Sequence, residues 1–298
     1  MTFYIRTDEP QFTSALKEEL EKHEYKEGDL PADFVFLSGK AAYWKNKINL
    51  KNSLLTNLVK DGPLTNKIEL HKLFPEEKFI KPFEIISLSG KLGWKIEDRV
   101  PEFTGIKILK PEGGYAGKGI YLVQNKDEAI YAIKHHRDVY SYRYLLQDYI
   151  MEPALINGHK FHLRVPILVI GKQKFMYYKS PYYVAKKSFT QADFNEKDIH
   201  DTHYNPEFSQ FYPDTLPDDF KRKVSFKFLE KVFEKLELKP EWKSKHSYYL
   251  YGADIMFEKK NPILLEINEK IGLKDMEFII PDLVNILLDG KTKNWTEL

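Results

Sequence analysis

The sequence runs to 298 residues and 35.2 kDa, about two ordinary domains of chain, and its 42% hydrophobic and 30% charged residues are a folded composition and not a disordered one. Cysteine is absent, which excludes disulfides, thiolate zinc sites and a cysteine nucleophile, and a net charge of +2 is too small to argue for a nucleic-acid partner. No segment approaches the roughly 20 apolar residues of a membrane span, and residues 1–8 hold no apolar run of signal-peptide length, so a cytoplasmic chain without a membrane partner is the expectation.

Residues 11–24 predict a helix, because Phe12, Ala15, Leu16 and Leu20 fall on one face among Lys and Glu. A short strand follows at 33–38. A second helix is predicted at 49–60, closed by Asp61-Gly62-Pro63, and a third at 67–74 before Pro75. A strand at 105–110 runs into a glycine-rich turn, with its partner at 119–124. Next come a helix at 126–135 and strands at 144–149, 161–170 and 174–179. Residues 220–236 predict an amphipathic helix, with Val224, Phe228, Val232 and Leu236 at helical spacing. Strands at 248–257 and 263–267 form a hairpin across Lys-Lys-Asn-Pro, and a last helix covers 281–288. Hairpin-joined strands with interspersed helices predict an α+β fold of mixed α/β layers.

Three segments carry candidate chemistry. In Lys110-Pro111-Glu112-Gly113-Gly114-Tyr115-Ala116-Gly117-Lys118-Gly119-Ile120, four of the 15 glycines fall within seven residues. Glycine lets backbone approach a ligand closely and aim N–H groups at phosphate oxygens. The order Gly114-x-x-Gly117-x-Gly119 is neither a dinucleotide fingerprint nor a Walker loop, and an ordinary hairpin turn is the alternative reading. Lys110, at the strand end, is a natural point charge for a polyphosphate. In Lys160-Phe161-His162-Leu163-Arg164-Val165, strand alternation puts Lys160, His162 and Arg164 on one face. Three adjacent cationic or potentially cationic groups repel unless an anion lies over them; the alternative is a solvent-facing strand. Pro166 points to an edge or a bulge.

The third segment is the hairpin holding Asp254 and Glu266, which are symmetric about residue 260 and so face each other across the ladder, with Asn268 on the same face. Ile255, Ile263, Leu265 and Ile267 are expected to pack on the other side. Opposed carboxylates are unfavourable, and a hard cation such as Mg²⁺ reverses the sign of that interaction. An exposed polar face with relaxed register is the alternative. His200-Asp201-Thr202-His203 lacks a convincing third ligand for zinc. No elbow motif supports Ser-His-Asp catalysis. Residues 153–192 hold no Asp or Glu in a chain with 44 of them, but do hold Lys160, Arg164, Lys172, Lys174, Lys179, Lys186 and Lys187. That span reads either as a solvated basic face or as the wall of a groove for an acidic chain.

Taken together and in this order, the segments resemble the tubulin–tyrosine-ligase-like family of the ATP-grasp superfamily. Lys-Pro-x-x-Gly-x-x-Gly-x-Gly-Ile is present from Lys110 to Ile120, and Gln-x-Tyr-Ile as Gln147-Asp148-Tyr149-Ile150. Lys160-Phe161-x-Leu163-Arg164, His200-Asp201-Thr202-His203, Gly252-Ala253-Asp254 and Leu264-Leu265-Glu266-Ile267-Asn268 follow, and Leu64-Thr65-Asn66-Lys67 is a fainter likeness. The resemblance implies an ATP-grasp fold with a small N-terminal domain (1–77), a central domain with the phosphate loop (78–149) and a C-terminal domain (150–298). It implies an ATP-dependent ligase adding glutamate, glycine or tyrosine to a protein carboxylate, tubulin among the acceptors, through an acyl phosphate. Lys110 and Gly114, Gly117 and Gly119 would hold ATP phosphates, and Gln147, Tyr149 and Ile150 the adenine. Lys160 and Arg164 would hold the γ-phosphate and the intermediate; Asp254, Glu266 and Asn268 would bind Mg²⁺, with Asp254 also touching the nucleotide. His162, Lys179, Thr202 and His203 would meet the substrates, His162 with a catalytic role as well.

The sequence departs from the family pattern where His162 replaces Asp, His203 replaces Asn and Asp148 replaces Lys, and Lys179 falls near a common Arg. The amino acid added is therefore not carried over. A monomer acting on an acidic protein or peptide and a free amino acid is the expectation. A ligase for a small molecule or another peptide, or an inactive nucleotide-binding homologue, is the alternative.

Overall fold

The computed structural model describes residues 1–38, 55–57, 62–88, 95–113, 117–135, 141–191, 194, 196–203, 209–212, 226–236, 247–269, 271–273, 276–291 and 293–298. Its strands are β1 (Thr2–Arg6), β2 (Lys26–Glu27), β3 (Phe34–Leu37), β4 (Leu55–Asn57), β5 (Phe83–Ser87), β6 (Lys107–Pro111), β7 (Tyr121–Val123) and β8 (Arg143–Asp148). They continue with β9 (Leu155–Ile156), β10 (His159–Ile170), β11 (Gln173–Tyr177), β12 (Tyr182–Ala185), β13 (Ser209–Tyr212), β14 (Ser247–Glu258), β15 (Asn261–Asn268) and β16 (Trp295–Glu297). The helices are α1 (Pro10–Lys22), α2 (Lys67–Leu73), α3 (Lys126–His135), α4 (Lys197–His200), α5 (Phe228–Glu234) and α6 (Ile280–Asp289).

The expected α+β class holds. Strands β5, β8, β6 and β7 make a 4-stranded antiparallel sheet in that order, backed by α3. The remaining strands make a 12-stranded sheet along the path β13-β12-β10-β14-β4-β3-β1-β2, with β9, β11, β15 and β16 as side branches. β1 to β4 pair in parallel, and β4 joins them to β14, so these four strands extend the sheet that carries the basic strand and the hairpin.

β10 runs through the middle, and nearly every residue of it is buried on both faces. Phe161, Leu163, Val165, Ile167 and Val169 pack into one core with α5, β14 and β15. A second core joins α1 and α6 to β1 and β3 through Phe12, Leu16, Leu20, Leu283 and Val284. Two helix ends show how the chain closes them. The Asn66 side chain accepts from the Ile68 and Glu69 amides to cap α2, and Gly290 closes α6 at φ +68°.

Three sequence expectations change. The helix expected over 49–60 is, in its described part, strand β4, and the rest lies outside the described residues; pairing with β3 and β14 overrides local helical spacing. Pro166 marks neither an edge nor a bulge. It sits inside β10 opposite Gly252, in the gap where β12 has ended at Leu163 and β11 has not begun at Ile167, so its missing N–H breaks no ladder there. The helix expected over 220–236 is α5 in its described part, and residues 220–225 lie outside it. Among the described residues, no helix is long and apolar enough to cross a membrane.

Candidate active site

A cavity of about 340 Å³ lies between the small sheet and the polar face of the large one. The small sheet supplies Ile108, Lys110, Tyr121, Leu122 and Gln147, and β10 supplies Lys160 and His162. Asp254 and Glu266 enter from the hairpin, and Asp201, Thr202 and His203 from the segment after α4. Its size and mixed apolar and charged lining suit a small-molecule site.

Alternation places Lys160, His162 and Arg164 on one face of β10, opposite the apolar core. This face is not open to solvent: Lys160 and His162 are each 2% exposed. The Lys160 ammonium donates to Tyr149 Oη at 2.7 Å and sits 4.4 Å over the Tyr149 ring; the same hydroxyl lies 2.7 Å from His200 Nδ1. Lys110 donates to Gln147 Oε1 at 2.9 Å. Both ammoniums are thus held by neutral acceptors. Burial pulls Lys160 down to about 7, helped by Lys110, and pulls Lys110 down to about 8 against the attraction of Glu266. Burial also raises the Tyr149 pKa, so it stays a phenol.

Arg164 forms a bidentate pair with Asp254, Nε and Nη2 each at 2.8 Å. Burial alone would lower the Arg164 pKa, but the paired carboxylate lifts it above the ordinary guanidinium value. His162 stacks on Tyr183 at 5.0 Å, and its Nδ1 lies 2.8 Å from the Thr202 hydroxyl, while its buried Nε2 has no protein partner. Burial, then His203 and Arg164, push its pKa well below the ordinary histidine value. His203 Nδ1 and backbone N–H both lie 2.9 Å from Asp201 Oδ1. Burial would raise the Asp201 pKa, and the His203 bond holds it down.

The hairpin pairs Asp254 with Glu266, and Asn268 with Gly252. This register depends on a β-bulge. From Glu258↔Asn261 to Ile255↔Leu264 the strands pair around a tight Lys259-Lys260 turn, with Lys259 at φ +56°. One extra residue on β15 then restores the register that sets Glu266 opposite Asp254. Without it, Leu265 would take that place. The bulge also corrects the expected packing: Ile263 and Leu265 do not join the core with Ile255 and Ile267 but line the cavity with Met256 and Ile150. The Asn268 amide donates to Asp254 Oδ2 at 3.1 Å and Glu266 Oε1 at 3.2 Å, and Lys67 pairs with Glu266 at 3.1 Å.

Gly117 and Ile120 line the cavity. Gly117 has φ +69°, and a β-carbon there would lie 3.3 Å from His203 Nδ1, so the loop presses its backbone against the Asp201–His203 segment. Gly119 has φ +76°, and Gly114 lies outside the described residues. Asp148 lines the cavity and pairs with Lys107. Arg164 and Asn268 stand behind Asp254 and are not themselves cavity-lining, nor is the half-buried Lys179.

The acid-free span does not form one basic wall. Lys186 and Lys187 pair with Asp198, and Lys187 also with Glu196, acids from the neighbouring segment. Lys172 lies in the turn after the far end of β10, roughly 20 Å from Arg164.

Sequence reasoning missed His71, which is fully buried and meets Gln147, and assigned no role to Lys67, which reaches Glu266. Both lie on α2, whose span was legible but whose docking was not.

Residues 83–210 match the model of the tubulin-tyrosine ligase family. The tubulin–tyrosine-ligase-like likeness read from the motifs stands. Tubulin glycylase 3E of Tetrahymena thermophila is 24% identical over 285 residues, covering 78% of this chain and 20% of that protein. Tubulin polyglutamylase TTLL6 of Mus musculus is 28% identical over 200 residues, covering 54% of this chain and 23% of its own. Tubulin polyglutamylase TTLL11 of Homo sapiens is 29% identical over 122 residues, covering 39% and 16%. The chain spans about a fifth of the length of these curated relatives.

Proposed function

We propose that this chain is an ATP- and Mg²⁺-dependent carboxylate–amine ligase of ATP-grasp type. It joins a free amino acid to a carboxylate of an acidic protein, with tubulin the first acceptor to try. The observation that carries this reading is the pair of buried lysines, Lys110 and Lys160, held by neutral acceptors in one cavity that Asp254 and Glu266 also enter. Desolvated ammoniums without a bonded carboxylate favour a polyanion.

The donor set suits Mg²⁺. Two carboxylates meet across the hairpin, and N–H donors from Asn268, Arg164 and Lys67 now offset their repulsion, a situation a hard cation satisfies. Asp254, Glu266 and Asn268 would hold the ion. ATP with Mg²⁺ supplies the phosphoryl group that makes a carboxylate electrophilic. The chain's residues bind and orient: Lys110 and Lys160 take phosphate charge, the edge from Gln147 to Ile150 takes the base, and the Gly117 turn covers the cavity. His162, neutral and with Nε2 free, accepts the proton the attacking amine must lose when Nδ1–H is donated to Thr202. Most of the catalysis is positioning and charge neutralisation.

The test is ADP release measured across the twenty amino acids, with tubulin, with an unrelated acidic protein and with neither. Turnover that needs both an amino acid and an acidic protein is expected. Release without amino-acid dependence, or ATP binding without turnover in any combination, sinks the ligase reading.

A further inference from the structure

His71 belongs to none of the segments that point to the cavity, yet it is fully buried beside it, edge-on to Phe83 at 5.3 Å. Its Nδ1 lies 2.6 Å from the Lys67 carbonyl. A carbonyl only accepts, so Nδ1 carries the hydrogen and Nε2 is left as an acceptor. Burial, then Lys110, lower its pKa to about 4, which agrees with a neutral ring. The Gln147 amide nitrogen lies 2.8 Å from His71 Nε2 and 3.4 Å from the Lys81 carbonyl. Two acceptors on one side fix the amide nitrogen there. Gln147 Oε1 must then face the other way, and it accepts from Lys110 Nζ at 2.9 Å. The donors and acceptors are consistent from end to end in only one arrangement: Lys110 to Gln147, Gln147 to His71, His71 to Lys67.

We propose that His71 is a positioning residue that, through Gln147, fixes the Lys110 ammonium at the cavity and so sets the affinity for phosphates. The proposal rests on the nucleotide reading above. An apolar side chain at 71 removes the acceptor that orients the amide. Gln147 is then free to turn its N–H₂ group toward Lys110, and an ammonium facing two N–H donors is repelled. A glutamine at 71 restores an acceptor at similar reach.

Calorimetry on the full chain, with ATP and with inorganic tripolyphosphate, tests this in the wild type, His71→Leu and His71→Gln. A hydrogen bond to a charged group corresponds to about tenfold or more in affinity, so His71→Leu is expected to weaken both ligands about tenfold. His71→Gln is expected to recover most of that loss. A folded His71→Leu with wild-type affinity overturns the role, as does a His71→Gln no better than His71→Leu. Should His71→Leu fail to fold, imidazole ¹⁵N spectra of the wild type decide. A neutral ring protonated at Nδ1 at pH 6 is expected, and an Nε2–H tautomer or an imidazolium overturns the relay. A wild type that binds neither ATP nor tripolyphosphate overturns the nucleotide reading and this role together. Wild-type binding that His71→Leu leaves unchanged overturns this role alone.

Discussion

Lys110 and Lys160 share a physical predicament: each is a buried ammonium whose charge burial disfavours, near 8 and near 7 respectively. Both folded values lie below the ordinary lysine value of 10.5. The unfolded chain therefore binds more protons between about pH 7 and 10.5, so these groups make the unliganded protein more stable as pH rises through that window. A bound polyanion reverses the preference by favouring the charged forms. We therefore expect ATP binding at pH 8 to take up protons, seen as a dependence of the calorimetric heat on buffer ionisation enthalpy, and affinity to fall from pH 7 to 9. Binding without proton uptake would contradict the lysine assignment. His162 behaves differently. Its pKa lies well below neutrality, so no activity step near pH 6.5 comes from it, contrary to what an ordinary imidazole would give. His162→Asp places a second anion beside Arg164 and is expected to change which amino acid is used. Equal kinetics with every amino acid in His162→Ala would remove His162 from the substrate side. Of these residues, Lys160, His162 and Arg164 were legible because strand alternation alone sets their face. His71 and the Tyr149–His200 contact were not, since long-range docking of α2 and α4 creates them.

At the scale of elements, the hairpin shows what a residue count can and cannot fix. Symmetry about residue 260 puts Asp254 opposite Glu266, but the turn is centred half a residue earlier, and only the bulge brings the two carboxylates together. The sequence does not mark the bulge with a glycine, so strand alternation alone assigns Leu265 to the core. α3 was legible end to end because its periodic face is local: Ala129, Ile130 and Ala132 bury against the small sheet. β4 was not, because three residues inserted between two strands carry no alternation long enough to read. Two tests belong here. Glu266→Gln removes one carboxylate of the opposed pair without changing size, and ATP turnover is expected to drop at least 100-fold with the fold intact by circular dichroism. Turnover near wild type would end the metal assignment. Gly117→Ala forces a side chain into a positive-φ position against His203, at a cost of roughly 1–2 kcal/mol in the loop. Its effect should fall on nucleotide affinity more than on melting temperature.

Across the whole molecule, the cavity sits where two sheets meet, and α2 ties them together with polar contacts. Asn66 reaches Glu112 at 2.8 Å and Glu69 reaches Arg143 at 2.9 Å on the small sheet, while Lys67 reaches Glu266 on the large one. Lys81 adds a bond to Glu258 at 2.9 Å. A site of this kind stores unfavourable electrostatics in the unliganded state, and a ligand that neutralises it stabilises both sheets together. A buried charge held by neutral partners is replaced by an apolar group at a gain in stability. Lys160→Met keeps most of the side-chain length while removing the ammonium over Tyr149. We expect this variant to melt above the wild type when unliganded. In the wild type, saturating Mg²⁺ and ATP should raise the melting temperature with the logarithm of concentration, since a ligand at 100 times its Kd contributes about 2.7 kcal/mol. Lys160→Met should lose most of that shift. The two readings move in opposite directions, which separates a functional lysine from a structural one. If Lys160→Met melts lower and still gains the full ligand shift, Lys160 supports the fold and does not serve the site.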